Sequence, residues 1–231
     1  MLVGVALLRS MALEDAGFLH AFPERSVTEA ELLAILGTTT IAQAKQVHGA
    51  GVIVASESTG PQGREADAIV GRAISTGRAA VGVRVADCVP VLVADETSGS
   101  VAAIHAGWRG VVAGVVQAGI DVLAGDRSRL IAAIGPCIGG CCFEVGRDVA
   151  VSIAQASHGA DVFADDRGDK VFVDLRAAVR AQLMAAGVPA DRIEDVPGCT
   201  KHEAARFHSF RRDAEKSARM LAVIGTRERT A

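Results

Sequence analysis

Aromatic residues are scarce in this 231-residue chain, which has seven Phe, one Trp and no Tyr. Recognition by stacking has few residues to draw on beyond Trp108 and the Phe side chains. A basic excess is also missing: 24 Lys and Arg stand against 27 Asp and Glu, so composition gives no support for a nucleic-acid partner. No apolar run reaches the roughly 18–20 residues that span a bilayer, and no membrane partner is expected. Cysteine is limited to five, an odd number. Cys137, Cys141 and Cys142 are clustered, and vicinal cysteines rarely pair, so the simplest reading is reduced thiols in a cytoplasm. Residues 1–13 are apolar but short, lack a basic start and carry Arg9. They are expected to form a first strand rather than a signal peptide.

Half of the residues are apolar. The chain is long enough to bury a substantial core, and it shows neither an internal repeat nor a low-complexity linker. Strand-like and helix-like segments alternate along it. Residues 28–36 have helical spacing, with Thr28 as N-cap and Glu31 three residues later. Residues 52–55 and 66–70 read as strands, and the polar, Gly- and Pro-rich residues 56–65 as a loop. Residues 110–123 present one apolar helical face. Residues 130–134 are strand-like, and 147–156 and 175–186 helical, the latter with Asp174 as N-cap and Gly187 as its stop. Residues 193–196, 206–211 and 220–224 complete the strand candidates. The economical reading is one mixed α/β domain over residues 1–231.

The chain is organised around residues 79–110. Val81, Val83 and Val85 alternate with Gly82 and Arg84, a period of two. After Asp87-Cys88 comes a second apolar run, and a turn cluster at 95–99 leads to a third. A hairpin about that turn pairs residues whose numbers sum to about 195. Cys88 then falls near Gly107 and close to His105, so a thiol and an imidazole meet at one end of a sheet. Two chemistries fit. Thiolate and imidazole are ligands suited to zinc or copper, and they are also the parts of a nucleophilic Cys–His pair. A buried Cys beside a structural His is the plainer alternative. His48, at another strand break by a glycine turn, would complete a His, Cys, His set with a fourth position open.

Other residues carry weaker signals. Trp108-Arg109-Gly110 stands at an expected helix N-terminus, where backbone N–H groups favour an anion. Arg109 would be an anion clamp there, or a surface ion-pair partner. Arg211-Arg212 would ordinarily face solvent. Cys137, Cys141 and Cys142 lack a standard zinc-finger arrangement and are read as packed thiols. His20, His158 and His202 are read as structural or exposed, and His208 stays unassigned.

In order along the chain stand Gln46-Val47-His48-Gly49, Ala66-Asp67-Ala68, Ala86-Asp87-Cys88-Val89-Pro90 and His105-Ala106-Gly107-Trp108-Arg109-Gly110. Gly135-Pro136-Cys137-Ile138, Cys142-Phe143-Glu144-Val145-Gly146, Cys199-Thr200 and Ser209-Phe210-Arg211-Arg212-Asp213 follow. Over nearly its whole length the chain resembles the YfiH-like laccase-domain family, known both as polyphenol oxidases and as purine nucleoside phosphorylases. The resemblance implies a single α/β domain with layered sheets flanked by helices, and a metal, usually zinc with copper as the alternative, at His48, Cys88 and His105. It implies phosphorolysis of adenosine, inosine and methylthioadenosine, with adenosine deamination beside it. Purine nucleosides and phosphate are then the partners. Arg25, Arg109 and Arg211 become phosphate or substrate contacts by charge and motif position. Asp87 becomes an acid–base group or a carboxylate that orients a ligand imidazole. An older reading of the family is a copper oxidase acting on phenols, and a metal-free Cys–His hydrolase is the further alternative. The chain departs from the family after Arg25, where Ser26-Val27-Thr28 leads directly into a helix without the family's glycines and Asn. Phe210, Ala214 and Ser217-Ala218-Arg219 also replace the family's Tyr, Gly and Thr-Gly-Arg.

Overall fold

A computed structural model describes residues 7–55, 63–73, 79–123, 125–167 and 170–227 of the chain. Its strands are β1 (Leu7–Leu8), β2 (His20–Pro23), β3 (Val52–Ala55), β4 (Ala68–Gly71), β5 (Ala80–Val85), β6 (Val89–Asp95), β7 (Val101–Ala106), β8 (Leu130–Ile134), β9 (Glu144–Gly146), β10 (Phe163–Arg167), β11 (Lys170–Val173), β12 (Ile193–Asp195) and β13 (Met220–Gly225). The helices are α1 (Met11–Asp15), α2 (Glu29–Leu36), α3 (Trp108–Val112), α4 (Val115–Leu123), α5 (Arg147–Gln155), α6 (Leu175–Ala185) and α7 (Phe210–Asp213).

The central sheet has six strands in the order β12-β8-β6-β7-β4-β3, antiparallel except for the two parallel edge pairs. Its inner strands are buried on both faces, which is why β6 and β7 read as unbroken apolar runs. On one face Val91, Val93, Ala102 and Ile104 pack beneath α3 to α6. On the other, Leu92, Ala94, Ala103 and Ala133 meet Val81, Val83, Phe22 and Ile224 of a second sheet, ordered β1-β2-β13-β5. The far side of that second sheet packs Ala21, Leu221 and Val223 against Leu32 and Leu36 of α2. The layers are therefore helices, sheet, sheet, helix: a mixed α/β fold. A small third sheet, β10-β11-β9, adds Val145, Val171 and Val173 to the core beneath the helices.

Most expected elements are present. The β6–β7 hairpin has Val89 opposite Ala106, Pro90 opposite His105 and Ala94 opposite Val101, sums of 195 throughout. Helix α2 carries the full capping box between Thr28 and Glu31. Asp174 caps α6 through Ala177 N, and Gly187 follows with φ of 94°.

Four expectations need correction. The helix expected over 110–123 is two helices, broken at Gly114 with φ of 82°. Residues 206–211 are not a strand: Ser209 caps the single turn α7 by accepting from Arg212 N. The strand expected over residues 1–13 is cut short by α1, whose N-cap Ser10 also donates to Glu194 of β12; residues 1–6 lie outside the described residues. Strands β9, β10 and β11 were not expected, because their alternation is masked by charged residues such as Lys170 and Glu144. The expected loop at 56–65 lies mostly outside the described residues.

Candidate metal centre

Two sheets meet at the corner Ala86-Asp87-Cys88. Strand β5 pairs with β13 in the second sheet, and β6 lies in the central one, so the chain must cross between them within three residues. Asp87 takes φ of 96° to make that turn, a conformation uncommon for a residue with a Cβ. Backbone strain of this kind persists only where surrounding contacts hold it. Here they do: Asp87 Oδ1 accepts from Thr200 Oγ1 at 2.6 Å and Oδ2 from the Arg211 backbone N–H at 2.6 Å. Its carbonyl accepts from Ile138 N at 2.9 Å.

Cys88, the last residue of the corner, lies half-buried beside the end of β7. His105, on β7, is buried at 3% exposure. His48 is exposed on a turn before β3, with φ of 61°. One ligand atom from each of the three lies within 4.8 Å of the others. The His48 and His105 rings meet edge to face at 4.9 Å between centroids. Gly107 leaves the necessary room: a Cβ there would stand 2.9 Å from His48 Cδ2 and 3.0 Å from Cys88 Sγ.

The residue that sequence reasoning left without a role is Asp67. It is fully buried just before β4, and its carbonyl accepts from His105 N at 2.7 Å. Its Oδ1 accepts from His105 Nδ1 at 2.8 Å and from His48 N at 2.9 Å; Oδ2 accepts from Gly49 N at 2.7 Å and Val47 N at 3.2 Å. One carboxylate thus fixes the ring of His105 and the backbone turn that carries His48. The signal was a lone charge inside the apolar run Ala66-Asp67-Ala68-Ile69-Val70. It also corrects one role weighed for Asp87: the carboxylate bonded to His105 is Asp67, and Asp87 is bonded to Thr200 and Arg211.

Electrostatics follow from these contacts. Burial opposes charge on Asp67, but hydrogen bonds from His105 and Gly49 outweigh it and lower its pKa. Burial also opposes charge on His105, yet Asp67 and the neighbouring Cys88 raise its pKa to about 9. At Cys88 burial disfavours the thiolate, while hydrogen bonds from His105 and His48 bring the thiol down from 9.0 to about 6. At neutral pH the metal-free site is therefore a thiolate facing an imidazolium.

These residues fit a metal. With Nδ1 of His105 held by Asp67, Nε2 is the nitrogen left for a cation, and a carboxylate behind a ligand imidazole is the usual support for such a bond. Two imidazoles and one thiolate match the donor set of zinc sites that keep an open position, and they also suit copper.

The centre opens into a cavity of about 490 Å³. Its lining includes Gln46, Arg84, Asp87, Phe143, Phe210, Arg211 and Arg219 besides the three ligands. Arg211 donates to Glu144 O at 2.7 Å and lies 5.5 Å from the centroid of Phe143; Arg219 lies 5.5 Å from that of Phe210. Of the three arginines expected at the substrate, only Arg211 lines this cavity. Arg109 is exposed in the five-residue α3 and stacks on Trp108 at 4.4 Å. Arg25 donates to Ala204 O at 2.7 Å and lines a separate depression with His208 and Lys216. Arg84 and Arg219, which no motif argument singled out as anion contacts, are in the cavity instead. Arg212, expected to face solvent, donates to the carbonyls of Thr200, Lys201 and Phe207.

The family model described as "Multi-copper polyphenol oxidoreductase laccase" matches residues 24–227. The chain belongs to that family. Its relatives include a purine nucleoside phosphorylase of Deinococcus radiodurans, 39% identical over 201 residues, which are 85% of this chain and 75% of that protein. Another is adenosine deaminase RL5 from an unknown prokaryotic organism, 40% identical over 149 residues; the match spans 62% of this chain and 57% of that relative's length. Among solved structures, YlmD from Geobacillus stearothermophilus superimposes with a TM-score of 0.84 at 26% identity, covering 99% of this chain and 98% of that one. The YfiH-like resemblance and the layered fold rest on these matches together.

Proposed function

We propose that this chain is a zinc-dependent purine nucleoside phosphorylase that also deaminates adenosine. The observation that carries the reading is one cavity holding three different kinds of group. His48, Cys88 and His105 offer a metal centre, Arg84, Arg211 and Arg219 offer positive charge, and Phe143 and Phe210 offer aromatic faces. Its volume is in the range that encloses a small ligand. The relatives named as purine nucleoside phosphorylase and adenosine deaminase support the same substrates.

In phosphorolysis a phosphate oxygen bonds to the ribose C1′ as the glycosidic C–N bond breaks. The electron pair leaves with the purine nitrogen, which takes up a proton. Arg211 and Arg219 hold the phosphate by charge-assisted hydrogen bonds. Phe143 and Phe210 stack against the purine. Asp87, aimed by Thr200 and Arg211, handles the proton as general acid and base. In deamination water adds to the purine carbon bearing the amino group, and ammonia leaves. Zinc bound at the centre would supply a Lewis acid that polarises the ring and acidifies that water. His48, Cys88 and His105 would hold it, and Asp67 would keep His105 in the ligating tautomer.

Two observations favour other readings. The family description names a copper polyphenol oxidase. Oxygen reduction to water needs several coppers, whereas this centre offers one thiolate and two imidazoles. The thiolate–imidazolium pair of Cys88 and His105 would equally arm a metal-free hydrolase. Three assays together separate the readings: incubation with adenosine and phosphate followed by chromatography, oxygen uptake with a phenol, and alkylation of Cys88 with and without zinc. Phosphate-dependent release of adenine, with some inosine, is expected. Oxidation of a phenol with oxygen uptake and no nucleoside turnover would support the oxidase. Rapid alkylation of Cys88 that zinc fails to block would support the hydrolase.

A further inference from the structure

A second group of ligands lies outside the centre just described. The Gly-rich turn after β8 carries Cys141 and Cys142, and the turn after β12 carries Cys199 and His202. One ligand atom from each of the four lies within 4.8 Å of the others. None of these cysteines is in a disulfide. Cys137 has a different fate: it is fully buried, lies near Arg176, and burial pushes its thiol up to about 11.

We infer that Cys141, Cys142, Cys199 and His202 form a closed tetrahedral zinc site, structural in role and separate from the candidate catalytic centre. Zinc–sulfur bonds of about 2.3 Å and zinc–nitrogen bonds of about 2.0 Å place tetrahedral sulfur–sulfur edges near 3.8 Å and sulfur–nitrogen edges near 3.5 Å. Cys141 Sγ stands 3.8 Å from Cys142 Sγ and 3.5 Å from His202 Nδ1. Two edges of the tetrahedron are thus already set. Three thiolates and an imidazole leave no open position, which is the mark of a structural rather than a catalytic zinc. Soft sulfur donors select zinc over magnesium or calcium.

Backbone geometry supports the same use. Gly139 N donates to Cys199 Sγ at 3.4 Å, and the N–H groups of Lys201 and His202 also face that sulfur. Donors aimed at a sulfur support it as a thiolate ligand from outside the coordination shell. The two turns are already in register, because the backbones of Cys137 and Cys199 pair in an isolated parallel β-bridge and Thr200 N donates to Cys137 O at 3.0 Å. What they hold is the cavity wall. Ile138 and Phe143 line it, and Thr200 fixes Asp87. Zinc here would clamp these two turns without touching substrate.

The test is metal content and thiol protection on the full-length protein expressed with zinc and desalted. Wild type is expected to carry about two zinc ions per chain, and Cys88→Ala, His202→Ala and Cys141→Ser/Cys199→Ser about one each. His202 is exposed, so His202→Ala is expected to fold even where the double variant does not. In native wild type, Cys141, Cys142 and Cys199 should resist alkylation until a chelator is added, as read by peptide mass mapping. Cobalt substituted into Cys88→Ala should give the intense spectrum of a tetrahedral thiolate site, and His202→Ala should alter it. The inference is overturned if Cys88→Ala carries no metal while His202→Ala keeps the wild-type content. It is equally overturned if two of the three cysteines are joined by a disulfide, or if all three alkylate freely without chelator.

Discussion

At the scale of single residues, Asp67 governs the centre without facing the cavity. It accepts from His105 Nδ1 and from the backbone N–H groups of Val47, His48 and Gly49, so one side chain positions two of the three ligands. Replacing such a supporting carboxylate weakens metal binding by roughly 10- to 100-fold. Asp67→Asn is expected to show a loss of that size in competition with a zinc chelator, and to remain folded by circular dichroism. Unchanged zinc affinity would remove Asp67 from the account. Cys88 makes a pH prediction. Its folded pKa is depressed from 9.0 to about 6. The charge-linked stability it contributes is therefore fully present above the unfolded value and lost as pH falls through about 6. In metal-free protein, the ultraviolet thiolate absorbance that Cys88→Ala removes should titrate near pH 6. A midpoint near that of an ordinary thiol would contradict the assigned contacts. The arginines separate by placement. Arg211→Ala should raise the KM for phosphate several-fold and spare deamination, because water needs no anion clamp. Arg109→Ala, at a residue stacked outside the cavity, should leave both activities within about twofold, as steady-state kinetics can check.

Secondary-structure elements deliver these residues through their ends. His105 is the next-to-last residue of β7, Cys88 immediately precedes β6, and His48 and Asp67 precede β3 and β4. The β6–β7 register was legible because a turn cluster lies between two apolar runs, and that local pattern sets which residues face one another. Partners far apart in sequence were not legible. Nothing local in residues 80–85 says that β5 pairs with β13 rather than β6. For the same reason the meeting of Cys141 and Cys142 with Cys199 and His202 could not be read from spacing. Gly114 falls inside an apolar helical period, and its left-handed φ is what splits α3 from α4. Gly107 is the element-scale test. A Cβ there would press on His48 and Cys88, whose side chains can shift. The strain falls on the site more than on the fold. Displacing catalytic groups by about an ångström can cost on the order of a hundredfold in rate. Gly107→Ala is expected to lose that much activity while its melting temperature moves by only a few degrees. A large drop in melting temperature with full residual activity would mean that Gly107 serves packing alone.

For the whole molecule, the candidate centre lies at a corner where the chain crosses between two stacked sheets. Apolar runs announced buried strands, because burial of both sheet faces demands continuous Val, Ile and Ala, while the layering was implied by the family resemblance. The family motifs announced His48, Cys88 and His105, and the structure brings all three together. They did not announce which arginines face the cavity, since the path of residues 206–219 depends on a one-turn helix where a strand was expected. The central claim is that these three ligands form the metal centre of a nucleoside-cleaving enzyme. Its most direct test is to measure zinc content and adenine release from adenosine and phosphate on the same preparations of wild type and Cys88→Ala. The account predicts that Cys88→Ala loses the metal of that centre and its activity together while the far-ultraviolet spectrum stays native. A folded Cys88→Ala protein that keeps the full zinc content and still releases adenine would contradict it.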